Sequence, residues 1–156
     1  MVQNLLEITL QNRKLLHGIL LKTPLEVLAK VPEGYRNNLW WNIAHVVVTQ
    51  QLLVYKCSSL PMLVDDGLIN RFRKGTVPDG SISDSEIQQV KDLLLTTVEQ
   101  TAKDYEQGVF NTYNEYTTST KVTLRNVADA MAFNLYHEGL HLGVILSLRK
   151  ALAKTA

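Results

Sequence analysis

Four stretches of this chain repeat apolar residues at helical spacing, and no stretch alternates them as a half-buried strand requires. The spacing predicts a first helix over about 2–21, with Leu5, Leu6, Ile8, Leu15, Leu16 and Ile19 as its apolar positions. Thr23-Pro24 then offers an N-cap and a first-turn proline for a short helical turn over 25–29, and Pro32 and Gly34 close it. A second long helix is expected over about 38–57, with Asn37 or Asn38 as its cap. Ser83-Asp84-Ser85-Glu86 has the capping-box pattern and opens a third, along which Ile87, Val90, Leu94, Val98, Thr101 and Tyr105 recur. A polar, Thr-rich stretch over 108–123 precedes the last and most apolar segment, over about 124–152.

Roughly 25 residues holding Pro61, Gly67, Gly75, Pro78 and Gly80 separate the second and third long segments, which is long for a loop in a compact domain. As a crossover, such a connection lets those two helices run parallel instead of forming a tight hairpin. The fold class expected is all-α, a four-helix bundle, in one domain over 1–156. A composition of 46% apolar and 20% charged residues suits a soluble globular chain. Sixteen basic against fifteen acidic residues give a formal charge of +1, so bulk charge does not point to nucleic acid. A single cysteine, Cys57, excludes a disulfide framework and a Cys-rich metal site. The first residues lack a basic, then apolar leader, and no apolar run reaches the roughly 20 residues of a membrane span. The expectation is a cytoplasmic protein without a membrane partner.

The histidines carry the chemistry. His137 and His141 are four residues apart on the last helix, about 40° apart around its axis and one turn above the other. Ala130, Asn134, Val144 and Leu148 fall on the same side, so both imidazoles are expected to face the interior. His45 lies on the second long helix beside Trp41, Asn42, Val48, Thr49 and Leu52, another mostly apolar face. If those helices are neighbours, the three imidazoles can share a divalent metal ion. Three neutral nitrogens leave a position open for water or substrate, as in a catalytic site. A small apolar substrate would suit a lining of Trp41, Leu52, Ala130 and Val144. The alternative is a non-enzymatic helical bundle, metal-binding or with its core histidines merely packed and hydrogen-bonded, whose role is dimerisation or partner binding. His17, with Arg13 and Lys14 as helical neighbours, is assigned to the surface or to packing.

His137-Glu138-Gly139-Leu140-His141 also matches the zinc-peptidase pattern, whose third ligand lies downstream. Only 15 residues follow His141, and none is His, Asp or Glu, so that reading fails. Glu138 is expected as a carboxylate at the edge of the core face. Cys57 is about 18 Å along a helix from His45 and turned about 120° away, which removes it as a ligand or nucleophile. The adjacent Trp40 and Trp41 are not expected to share the core. Met131, Leu135, Leu142 and Leu146 form a second apolar strip on the last helix, and a homodimer contact is the expectation there.

Trp41-Asn42-Ile43-Ala44-His45, together with His137-Glu138-Gly139-Leu140-His141-Leu142-Gly143-Val144-Ile145, resembles the DinB/YfiT-like superfamily. The resemblance spans nearly the whole chain and implies an up-down-down-up bundle. It also implies a divalent metal, nickel or zinc, on His45, His137 and His141. Members include transferases and isomerases that use a low-molecular-weight thiol, which makes S-transfer to a small electrophile the first expectation and metal-dependent hydrolysis the second. Where many relatives carry a further histidine or an arginine beside the second ligand of the last helix, this chain has Leu140 and Leu142.

Overall fold

The computed structural model describes residues 2–153, so Met1 and residues 154–156 of the expected 1–156 domain lie outside the described residues. The protein is mostly helical. Its elements are α1 (Val2–Lys22), α2 (Leu25–Ala29), α3 (Leu39–Val54), α4 (Asp66–Phe72), α5 (Asp84–Glu106), β1 (Tyr116–Thr117), β2 (Thr123–Leu124) and α6 (Val127–Ala153). The four long helices pack in a ring: α1 on α5, α5 on α3, α3 on α6 and α6 on α1.

The helix boundaries follow local chemistry. Asn38 caps α3 by accepting the Trp41 amide at 2.8 Å, which satisfies one of the orphan donors of the first turn. Ser83 and Glu86 form the capping box of α5 in both directions. After Gln107, α5 stops at Gly108, whose φ of +68° a side chain would resist. Thr23 does not cap α2: its hydroxyl donates back to the Ile19 carbonyl at 2.6 Å, and Pro24 stands at the N-cap without a side-chain bond.

Two of the connections differ from expectation. The long crossover contains α4, capped by Asp65, and α3 is followed by a short 3-10 turn over Lys56–Ser58. The Thr-rich stretch holds a two-residue antiparallel ladder, Tyr116 opposite Leu124 and Thr117 opposite Thr123, closed by a turn with Lys121 at φ +66°. A ladder of two pairs is too short to leave an alternating pattern in the sequence.

Helix α3 is wrapped on every side, by α6, α4, α5 and α2, and almost every residue in it is buried. Both Trp40 and Trp41 are therefore inside, contrary to the one-face expectation. Trp40 meets Phe72 edge-to-face at 5.7 Å, and Trp41 stacks on the ring of His45. On α6 the expected inward set divides: Ala130, Asn134 and Leu148 are buried, while Val144 is 40% exposed. Of the strip expected to face outward, Met131 is buried and Leu135 and Leu142 are half-buried; only Leu146 is exposed.

Glu138 is not at an edge. It is fully buried and receives both Nε and Nη2 of Arg13, each at 2.8 Å, with Asn134 donating to the same carboxylate at 2.7 Å. The Arg13 guanidinium is equally buried and also donates to the Val46 carbonyl at 3.0 Å. Removing one member leaves an uncompensated charge without water, whereas replacing both leaves none. Glu138→Gln or Arg13→Met is expected to lower unfolding stability by about 3–5 kcal/mol in urea titrations. An Arg13→Met/Glu138→Leu double variant should lose clearly less than the sum; a strictly additive loss would show that the pair does not act as a unit.

Candidate metal centre

His45 from α3 and His137 and His141 from α6 converge, each offering a ring nitrogen within 4.8 Å of the other two. Ring centroids are 5.1 Å apart for His45–His137, 4.7 Å for His45–His141 and 4.5 Å for His137–His141. The close packing of α3 on α6 is what brings together residues 92 positions or more apart in the chain. His17 is half-buried on α1 and belongs to no such cluster among the described residues.

The rings are held by the shell behind them. His45 Nδ1 donates to the Phe72 carbonyl at 2.5 Å, a partner supplied by the end of α4. A carbonyl only accepts, so the proton sits on Nδ1 and Nε2 keeps its lone pair. Thr49 Oγ1 lies 3.2 Å from that Nε2. Trp41 stacks on the same imidazole at 4.4 Å and 14°, fixing its plane. His141 Nδ1 donates to Asn42 Oδ1 at 2.8 Å. The Asn42 amide has no freedom to flip, because its Nδ2 donates to the Asn38 carbonyl at 2.7 Å. The same logic frees Nε2 of His141. His137 Nδ1 is buried and has no hydrogen-bond partner.

Burial sets the protonation of the cluster. It pushes His137 down to about 3, with His141, His45 and Arg13 adding repulsion, and His141 down to about 4, with His45 adding repulsion. His45 is lowered by burial too, against the opposing pull of its bond to Phe72. At neutral pH all three are uncharged donors, the state in which imidazole binds a cation. Two rings with a fixed free Nε2, one ring with an unsatisfied buried nitrogen, and no competing carboxylate within the cluster form a set that fits a borderline divalent ion.

The cluster lies in the wall of an open cavity of about 780 Å³. Trp41, Thr49 and Leu52 line it from α3, and Phe133, Tyr136 and Leu140 from α6. A strap over 114–120 forms the far side. Ala130 and Val144, expected in the lining, are not there. Cys57, which helical arithmetic removed, lines the cavity, because α3 ends at Val54 and the 3-10 turn redirects the chain. It remains outside the histidine cluster.

The histidine shifts fix the sign of one pH effect. Below the ordinary value of 6.5 the unfolded chain takes up protons on these imidazoles, and the folded metal-free protein declines them until about pH 4 and then 3. Stability is thus lost as pH falls through this window. Thermal melts of chelator-treated protein between pH 7.5 and 4.5 should show a falling midpoint, with a shallower slope in His137→Gln; parallel slopes would mean that His137 titrates normally.

No helix among the described residues is long and apolar enough to cross a membrane. Among curated proteins none matches the chain. The family model of the DinB superfamily matches residues 8–145, which takes in the three clustered histidines, all of α3 and α5 and most of α1 and α6. With the histidine triad expected from the sequence drawn together by α3 and α6, the chain belongs to the DinB superfamily.

Proposed function

We propose that the protein is a metal-dependent enzyme in which His45, His137 and His141 hold one divalent ion, nickel or zinc, facing a small-molecule cavity. The observation that carries this reading is the convergence of three imidazoles, two of them fixed from behind by Phe72 and Asn42, in the wall of a cavity of about 780 Å³. Such an ion would lower the pKa of a water or thiol and present it as a nucleophile. The chain's own residues supply the rest: Phe72 and Asn42 orient two of the ligands, Trp41 keeps solvent off the His45 ring, and Leu52, Phe133 and Leu140 desolvate the electrophile. S-transfer from a low-molecular-weight thiol to a small electrophile is the first activity of this reading, and hydrolysis is the second.

The reading takes 1–156 as one cytoplasmic domain without nucleic-acid or membrane partners. The ring of packing among α1, α5, α3 and α6 supports a four-helix bundle in up-down-down-up order. A homodimer is part of it too. Val144 and Leu146, 40% and 51% exposed and outside the cavity lining, are the apolar residues of α6 that such a contact would cover.

Elemental analysis of tag-free protein purified without chelator should find near-stoichiometric nickel, zinc or another divalent metal, and much less in His141→Ala. Asn42→Ala should retain the site but weaken metal affinity by about 10- to 100-fold, since Asn42 acts through His141. Thiol-transfer and hydrolase screens of the loaded protein then separate the two activities. A parent that holds no metal and takes none up on dialysis would overturn the reading.

A further inference from the structure

The charged residues of the cavity wall are unbalanced. Arg36, Lys56 and Lys74 line it, against a single carboxylate, Glu115. In the whole chain the two signs nearly cancel at +1, so the excess is local to this cavity. The three cations come from separate places: Arg36 precedes α3, Lys56 follows it, and Lys74 follows α4. All three are exposed, and among the described residues none of their side chains forms an ion pair or hydrogen bond. Arg71, by contrast, is neutralised by Asp79 and Glu86 on the outer surface. The Lys74 segment is anchored, since Trp41 Nε1 donates to Thr76 Oγ1 at 2.9 Å and that hydroxyl donates back to the Arg71 and Arg73 carbonyls. Beside Arg36, the side chain of Asn37 lines the cavity, and its Oδ1 is buried without a hydrogen-bond partner.

We propose that the cavity selects a small organic anion, an apolar body carrying a carboxylate or phosphonate head, and that Arg36, Lys56 and Lys74 are the specificity-determining residues for that head. The apolar wall of Leu52, Phe133 and Leu140 takes the body. A cleft lined by one sign of charge concentrates the opposite sign, and low-dielectric walls strengthen the effect. The proposal deepens the metal-dependent reading of the same site, but the cations and the imidazoles are different residues, so the two separate experimentally.

The test uses the full chain, dialysed against chelator and, in parallel, loaded with zinc. Calorimetry or ligand-observed NMR compares benzoate, 4-phenylbutyrate and phenylphosphonate with the neutral benzamide and 4-phenylbutyramide. The metal-free protein is expected to prefer each anion over its amide, and the preference should shrink when salt is raised from 20 to 500 mM. Each of Arg36→Gln, Lys56→Gln and Lys74→Gln should weaken anion binding by about two- to fivefold, and the triple variant should abolish the preference while still binding the amides. All three positions are exposed, so the variants fold. Equal binding of anion and amide, no binding by any anion of the series, or a preference that survives in the triple variant overturns the proposal. A preference seen only with zinc assigns the head to the ion and overturns it as well. Should the protein prove to take up no metal, the metal-free arm still decides the anion question.

Discussion

A guanidinium and a carboxylate, both shut off from water, join three helices of this protein. Arg13 reaches from α1 to Glu138 on α6 and to the carbonyl of Val46 on α3. Glu138 follows His137, and Val46 follows His45, so one side chain ties together the residues next to the clustered histidines on both helices. Burying two ions is costly, and a well-packed apolar pair of equal volume is often as stable or more so. What the ion pair adds is direction: hydrogen bonds of 2.8–3.0 Å fix the rotation and height of α6 against α3, where leucine packing tolerates sliding. Asn134, one turn before Glu138, holds the carboxylate from the other side.

That rigidity matters because the three imidazoles are drawn from two helices. Their convergence depends on how α3 and α6 are set, and the outer partners then choose the atoms. Phe72 and Asn42 take the Nδ1 protons of His45 and His141, and the Asn38 carbonyl fixes Asn42 in turn. Asn38 thus serves twice, as the cap that starts α3 and as the acceptor that orients the amide behind a ligand. Burial does the remaining work by keeping the rings uncharged.

Much of this was legible in the sequence. Helical periodicity located α1, α3, α5 and α6 within a few residues at most ends, Pro24 marked the start of α2, and the i, i+4 spacing of His137 and His141 with an inward His45 named the triad. What escaped has physical causes. Glu138 reads as a boundary residue because its partner lies 125 positions away in the chain, and no local pattern encodes a long-range ion pair. Trp40 and Trp41 were separated by a one-face rule that fails for a helix enclosed on all sides. The α4 helix, too short for periodicity, carries the carbonyl that orients His45, and its Asp65 cap was the one available signal. Helical spacing puts Cys57 far from His45 only if α3 continues that far, and it ends three residues earlier.

The strap over 114–120 is held at one end by the chain after α3 and at the other by the β1–β2 ladder and the Thr118 backbone bond to Val122. The backbone amide of Asn114 donates to the Cys57 carbonyl, its side chain to Cys57 and Ser59, and Tyr113 reaches the Leu53 carbonyl at 3.1 Å. Between those anchors, Tyr116, Thr118, Ser119 and Thr120 line the cavity and lie outside the histidine cluster. The parts of the chain that would activate a nucleophile and the parts that frame the entrance are therefore separate inheritances. The turn over 118–121 can lengthen or be exchanged while α3 and α6 keep their register, so the wall that frames the cavity can change without moving the three imidazoles.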